Sequence, residues 1–141
     1  MEKDVTYYKE RLQNLLSNSF PELVPNTALI EQRSQWAKIV YDGAIRSGSS
    51  IEQCEYYTDH ILFEKFHFSK FETVSNIINN NFGNLMKHDE LKSFSLKMLK
   101  LCAPIFDKYE LSDDFAYTYD FDKLCMEITA SILSWINQYE F

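Results

Sequence analysis

Three glycines, three prolines and three cysteines are all that the 141 residues contain of each. So few turn-forming residues exclude an all-β sandwich or barrel, whose many short strands are joined by turns rich in Gly and Pro. Cys54, Cys102 and Cys125 are odd in number and far apart, so a disulfide framework is not expected. No apolar run approaches the roughly 18 residues that mark a membrane span, so no membrane partner is expected. Nor is there a block of consecutive basic residues, and the pI is about 4.9. Non-specific nucleic-acid binding draws on a basic patch that neutralises phosphates, so direct nucleic-acid binding is not expected as the main activity. The opening Met1-Glu2-Lys3-Asp4 has neither the basic nor the apolar stretch of a signal peptide, and a reducing cytoplasm is the expected compartment.

What the chain has instead is aromatic mass: 11 Phe, 9 Tyr and 2 Trp within a 45% hydrophobic composition. Disordered chains carry few aromatics, so this one is expected to fold. Its length suits a single domain over residues 1–141, with about two-thirds of the unfolded surface buried. Twenty-one acidic residues against 14 Lys and Arg leave a net charge of -7.

The apolar spacing is helical nearly throughout, and the expectation is an all-α bundle of about six helices around one core. Asp4 can cap a first helix with the stripe Tyr8, Leu12, Leu15 and Leu16, closed by Phe20-Pro21. Asn26 or Thr27 opens a long second helix with Leu29, Ile30, Trp36, Ala37, Val40, Tyr41, Ala44 and Ile45 on one face. Gly48 stands where a left-handed residue would end it. Ser50-Ile51-Glu52-Gln53 reads as a capping box for a third helix over Cys54, Tyr57, Ile61 and Leu62, and Ser69-Lys70-Phe71-Glu72 as another for a fourth over Phe71, Val74, Ile78 and Phe82. A fifth runs from Leu91 through Phe94, Met98 and Cys102 to Tyr109, with a kink expected at Pro104. After a polar and aromatic loop, residues 112–119, the last helix carries Phe121, Leu124, Ile128, Ile132 and Ile136, with Asp120 as its cap.

Little of this spacing points to chemistry. Glu64 and His67 have the Glu-x-x-His spacing that di-metal sites in helical bundles use twice, but no second such pair exists. The plainer reading is a histidine at a helix C-terminus facing open carbonyls. Cys102 and Cys125 fall on apolar stripes, where a free thiol acts as a small hydrophobe. No nucleophile elbow, phosphate loop or dinucleotide fingerprint occurs. No cofactor, metal or catalytic residue is therefore assigned.

Two features stand above this background. Phe63, Phe66, Phe68 and Phe71 cluster around the junction of the third and fourth helices, where they read first as core and second as a partner-binding patch. Residues 113–122 alternate acidic and aromatic groups and read first as a surface loop pinned by Phe115 and Tyr117, second as a recognition surface; a calcium loop is excluded there because the turn glycine and the bidentate glutamate are missing. Asp113, Asp114, Phe115, Tyr117, Tyr119 and Asp120 are the candidate partner-binding residues, suited to a basic protein.

The runs Phe66-His67-Phe68-Ser69-Lys70-Phe71-Glu72-Thr73 and Leu111-Ser112-Asp113-Asp114-Phe115-Ala116-Tyr117 resemble a small all-helical bacterial family of unknown function. Leu101-Cys102-Ala103-Pro104-Ile105-Phe106-Asp107-Lys108-Tyr109 and Tyr7-Tyr8-Lys9-Glu10-Arg11-Leu12 are similar to it as well. The family is commonly encoded in gut and oral anaerobes, often on conjugative transposons. The chain departs from its pattern at Asp59-His60-Ile61-Leu62-Phe63 and at Thr118-Tyr119, where the family tends to have Ser-Pro. The resemblance implies a gene context and supplies no activity, cofactor or catalytic residue. The expected function is accordingly that of a non-enzymatic interaction protein, an accessory of a mobile element. The alternatives are an acidic mimic of DNA that antagonises a basic DNA-binding protein or nuclease, and small-molecule binding or catalysis in a pocket between helices.

Overall fold

Helix α1 (Val5–Ser19) starts where the carboxylate of Asp4 accepts the Tyr7 amide at 3.1 Å. The computed structural model describes residues 4–139, so Met1-Glu2-Lys3 of the leader reading lie outside the described residues, as do the last two. The described residues form seven α-helices and four short 3₁₀ turns, with no strand among them. They divide into two compact units, one ending at His67 and the other starting at Phe68. Where the sequence suggests one core, the buried residues form two separate clusters, one in each unit.

In the first unit α2 (Thr27–Arg46) packs on α1 and on α3 (Ile51–Leu62). Asn26 caps α2 by accepting the Leu29 amide. At the other end Gly48 adopts φ +86°. Its amide donates to the Ile45 carbonyl and the Ser49 amide to that of Ala44, at 3.1 and 3.0 Å, the paired bonds of a Schellman stop. Ser50 and Gln53 then form the reciprocal capping box of α3. Tyr8, Leu12, Leu16, Ile30, Ala37 and Leu62 make the core.

Trp36 and Tyr57, both expected inside, are each 46% exposed, and Ile45 is exposed too. The buried seam of α2 runs through Ile30, Ser34 and Ala37, and that of α3 through Cys54, Thr58 and Leu62. Ser34 and Thr58 can lie there because their hydroxyls donate to carbonyls one turn back, Ile30 and Cys54, each at 2.6 Å. Small hydroxyl residues at the seam leave room for close helix packing and push the larger aromatics to its flank. The Tyr8 hydroxyl, by contrast, is buried with no hydrogen-bond partner, and burial pushes its pKa up to about 12.

His67 does not end a helix. Helix α3 stops at Leu62, and carbonyls at and just beyond its end are met from α2: Arg33 donates to the carbonyls of Ile61 at 3.1 Å and Glu64 at 2.9 Å while lying over the Phe66 ring. Glu64 and His67 thus share no helix face.

The second unit is built from α4 (Lys70–Phe82), α5 (Leu91–Leu101), α6 (Ala103–Phe106) and α7 (Tyr119–Tyr139), with α4 packed on α5 and α7. Ser69 caps α4, its hydroxyl accepting the Glu72 amide at 2.9 Å. The single fifth helix expected from the sequence is two helices, because Pro104 has no amide hydrogen for the next rung and the chain turns at Cys102. Proline then sits in the first turn of α6, where its missing donor costs nothing. The apolar stripe of α7 is buried as expected through Leu124, Ile128, Ile132 and Ile136, against Ile78, Phe94, Met98 and the other members of the second core.

The four phenylalanines of the junction are packing residues in both units. Phe63 and Phe66 are half-buried against the first core, and Phe68 and Phe71 are buried in the second.

Candidate interaction surface

Between α6 and α7 the chain makes a loop whose order comes from short-range bonds and one deep anchor. The Ser112 hydroxyl donates to the Asp114 carboxylate at 2.8 Å, and the Phe115 amide donates to the Ser112 carbonyl at 3.0 Å. A 3₁₀ turn follows over Phe115–Tyr117, and the Thr118 hydroxyl closes it on the Phe115 carbonyl at 2.7 Å. Phe115 is 3% exposed. Its ring lies 5.2 Å from that of Phe68, 5.8 Å from Tyr109 and 6.1 Å from Phe121, each edge to face.

Of the residues singled out from sequence, Phe115 is therefore an anchor and faces inward, whereas Tyr117, expected to pin the loop beside it, does not. The other five are exposed: Asp113, Asp114, Tyr117, Tyr119 and Asp120. Tyr117 is 91% and Tyr119 76% exposed, the most open tyrosines of the described chain. Lys123, one turn into α7, holds its ammonium 5.4 Å from the centre of the Tyr119 ring, so that face of the ring already accepts a cation. Asp120 is not the cap of the last helix. Helix α7 begins at Tyr119, and Asp120 lies with Asp122 inside its first turn, where the positive end of the helix dipole favours carboxylates.

Below the loop sits a cluster that the sequence does not announce. The Glu127 carboxylate accepts the Tyr109 hydroxyl on one oxygen and pairs with the Lys108 ammonium on the other. Lys108 and Tyr109 hold Glu127 below the usual carboxylate range. The bond to Glu127, with some burial, pushes Tyr109 up to about 12. Lys108 is thus engaged by Glu127, and the carboxylates of residues 113–120 form no ion pair with it. Nothing local marks this cluster, since Tyr109 and Glu127 are 18 residues apart.

The remaining chemistry is sparse. Burial pushes the thiols of Cys102 and Cys125 up, which opposes nucleophilic reactivity. Among the described residues no group of three or more His, Cys, Asp or Glu is arranged to hold a metal ion. A wide-open cavity of about 340 Å³ lies at the start of α5, lined by Asp89, Glu90, Ser93, Phe94 and Lys97. Among the described residues no helix is long and apolar enough to cross a membrane.

Comparison with known proteins agrees with the architecture. A family model described as a domain of unknown function, DUF1896, matches residues 1–141. The crystal structure of protein PG0816 from Porphyromonas gingivalis is similar, with a TM-score of 0.90 and 25% identity over 96% of this chain and 93% of that one. No curated protein matches.

Proposed function

Since the chain belongs to the DUF1896 family of domains of unknown function, we propose that it is a non-enzymatic interaction protein that binds a basic protein partner through residues 113–120. The observation that carries this reading is the exposure of Tyr117 and Tyr119, at 91% and 76%, amid exposed aspartates on a loop fixed by a buried Phe115. Exposed tyrosines on an ordered loop offer rigid contact area at low entropic cost, and aromatics dominate binding hot spots. The surrounding carboxylates would steer a basic partner and speed its association at low salt. The resemblance noted in the sequence supports a role as an accessory of a mobile genetic element, and three free thiols fit a reducing cytoplasm.

The DNA-mimic reading is less well supported. A mimic needs a continuous acidic surface, whereas α5 carries Lys92, Lys97 and Lys100 and no carboxylate. The cavity at the start of α5 does not favour a small-molecule role, because it is wide open where ligand pockets enclose most of the ligand.

The test is a pull-down from the native host with the wild-type chain and the Asp113→Asn/Asp114→Asn variant, each bound partner then titrated across a salt series. The expected partner is basic, binds the variant about ten-fold more weakly, and shows a flatter salt dependence with it. Equal affinity and equal salt dependence in a folded variant would place the binding surface elsewhere.

A further inference from the structure

The loop bearing Tyr117 stands on two supports. One is apolar, the seat of Phe115 among Phe68, Tyr109 and Phe121. The other is polar, the Glu127 carboxylate of α7, which engages both Lys108 and Tyr109. Tyr109 belongs to both: its hydroxyl is held by Glu127 and its ring forms one wall of the Phe115 seat. The loop's own bonds are all short-range: the amides of Phe115, Tyr117 and Thr118 donate to carbonyls three residues back, around a single 3₁₀ turn, and two side-chain bonds join them; 3₁₀ geometry holds short pieces weakly.

We propose that Glu127 is a positioning residue for the interaction surface, holding Tyr109 so that Phe115 stays seated and residues 112–118 present Tyr117 in one conformation. This rests on the interaction reading for its purpose, though not for its test. A loop ordered before binding does not meet the ordering cost at the moment of association, which is what an interaction surface gains from such a clamp. An exposed lysine–carboxylate pair contributes little to global stability. Lys108 is 59% and Glu127 36% exposed at the side chain, so the effect of the clamp falls on the loop and not on the whole fold. Tyr109 links the carboxylate to the Phe115 ring, and removing its hydroxyl should therefore act like removing Glu127.

The experiment is amide hydrogen exchange on the free full-length chain at neutral pH, comparing wild type with Glu127→Ala, Tyr109→Phe and the double variant. The informative amides are those of Phe115, Tyr117 and Thr118, which donate to Ser112, Asp114 and Phe115 carbonyls. Each single variant should speed their exchange about ten-fold or more while the amides of α4 and α7 keep wild-type rates. The double variant should add nothing, because both changes cut one path. Wild-type rates in the loop of either folded single variant would overturn the proposal. So would a rise shared equally by α4, α5 and α7, which would make Glu127 a general stabiliser. Tyr109→Phe keeps the ring and its packing, so it reports on the clamp even if Glu127→Ala folds poorly. Because no partner is present, the outcome is independent of whether residues 113–120 bind a basic protein.

Discussion

The phenol of Tyr109 donates to the carboxylate of Glu127 across 18 residues of chain, and the same carboxylate holds Lys108 on its other oxygen. One side chain of α7 thereby fixes two consecutive residues at the mouth of the acidic loop.

That arrangement has a defined pH window. Glu127 is held below its ordinary value of 4.5, so its stabilisation is complete above about pH 4.5 and is lost as the pH falls through the lower folded value. Tyr109 is raised from 10.0 to about 12, so its contribution is complete below pH 10 and is lost as the pH rises through about 12. The clamp is therefore constant through the neutral range and acts as a fixture, not a switch. In an NMR titration of the tyrosines, Glu127→Gln should bring the Tyr109 midpoint back toward 10.0. The midpoint of Tyr8, also near 12 but raised by burial, should stay where it is. An unmoved Tyr109 midpoint would mean that the bond to Glu127 does not form in solution.

Phe94 and Ile128 sit in the second core, at 6% and 0% exposure. Truncation of either to Ala should cost about 2–5 kcal/mol, because lost burial and the cavity left behind add together. Chemical denaturation of the two variants measures this, and losses near zero at both would mean that the buried faces of α5 and α7 are wrongly assigned.

Thiol labelling of the native protein should be slow at Cys102, which is fully buried and has its pKa raised by desolvation. Cys125, only half-buried, should react faster than Cys102 and still slower than a free thiol, since burial and Asp122 both push it up. Rapid selective modification of Cys102 at neutral pH would revive a nucleophilic role.

Local signals in the sequence carried far. Asp4, Asn26, Ser50 and Ser69 cap the helices they precede, and Gly48 takes the left-handed stop, because each signal depends on residues within one turn. The stripe of α7 was legible for the same reason: residues four apart must share a face. The apolar spacing puts Trp36 and Tyr57 inside, and the structure puts them half-open to solvent, because hydrophobicity alone does not say which flank of a helix meets its neighbour. Only the packing reveals that the seam runs through Ser34 and Thr58. The division of the core into two clusters, the break at Cys102 and the Glu127 clamp were likewise hidden, since each depends on tertiary contacts or on the full consequence of one proline. At the candidate surface the acidic and aromatic composition was readable. That Phe115 points in while Tyr117 points out was not, because a 3₁₀ turn follows neither the helical nor the strand period.

The central claim, that residues 113–120 engage a basic protein, is tested most directly by photo-crosslinking from position 117 in lysate of the native host. A photoreactive phenylalanine analogue replaces Tyr117, and a control places it at Ile39, an exposed residue of the first unit. One basic protein should be captured from position 117 and not from position 39. Its yield should fall as salt is raised and with Asp113→Asn/Asp114→Asn in the same chain. Capture from position 117 that neither salt nor the loss of those two carboxylates changes, or no specific capture there at all, would contradict the account.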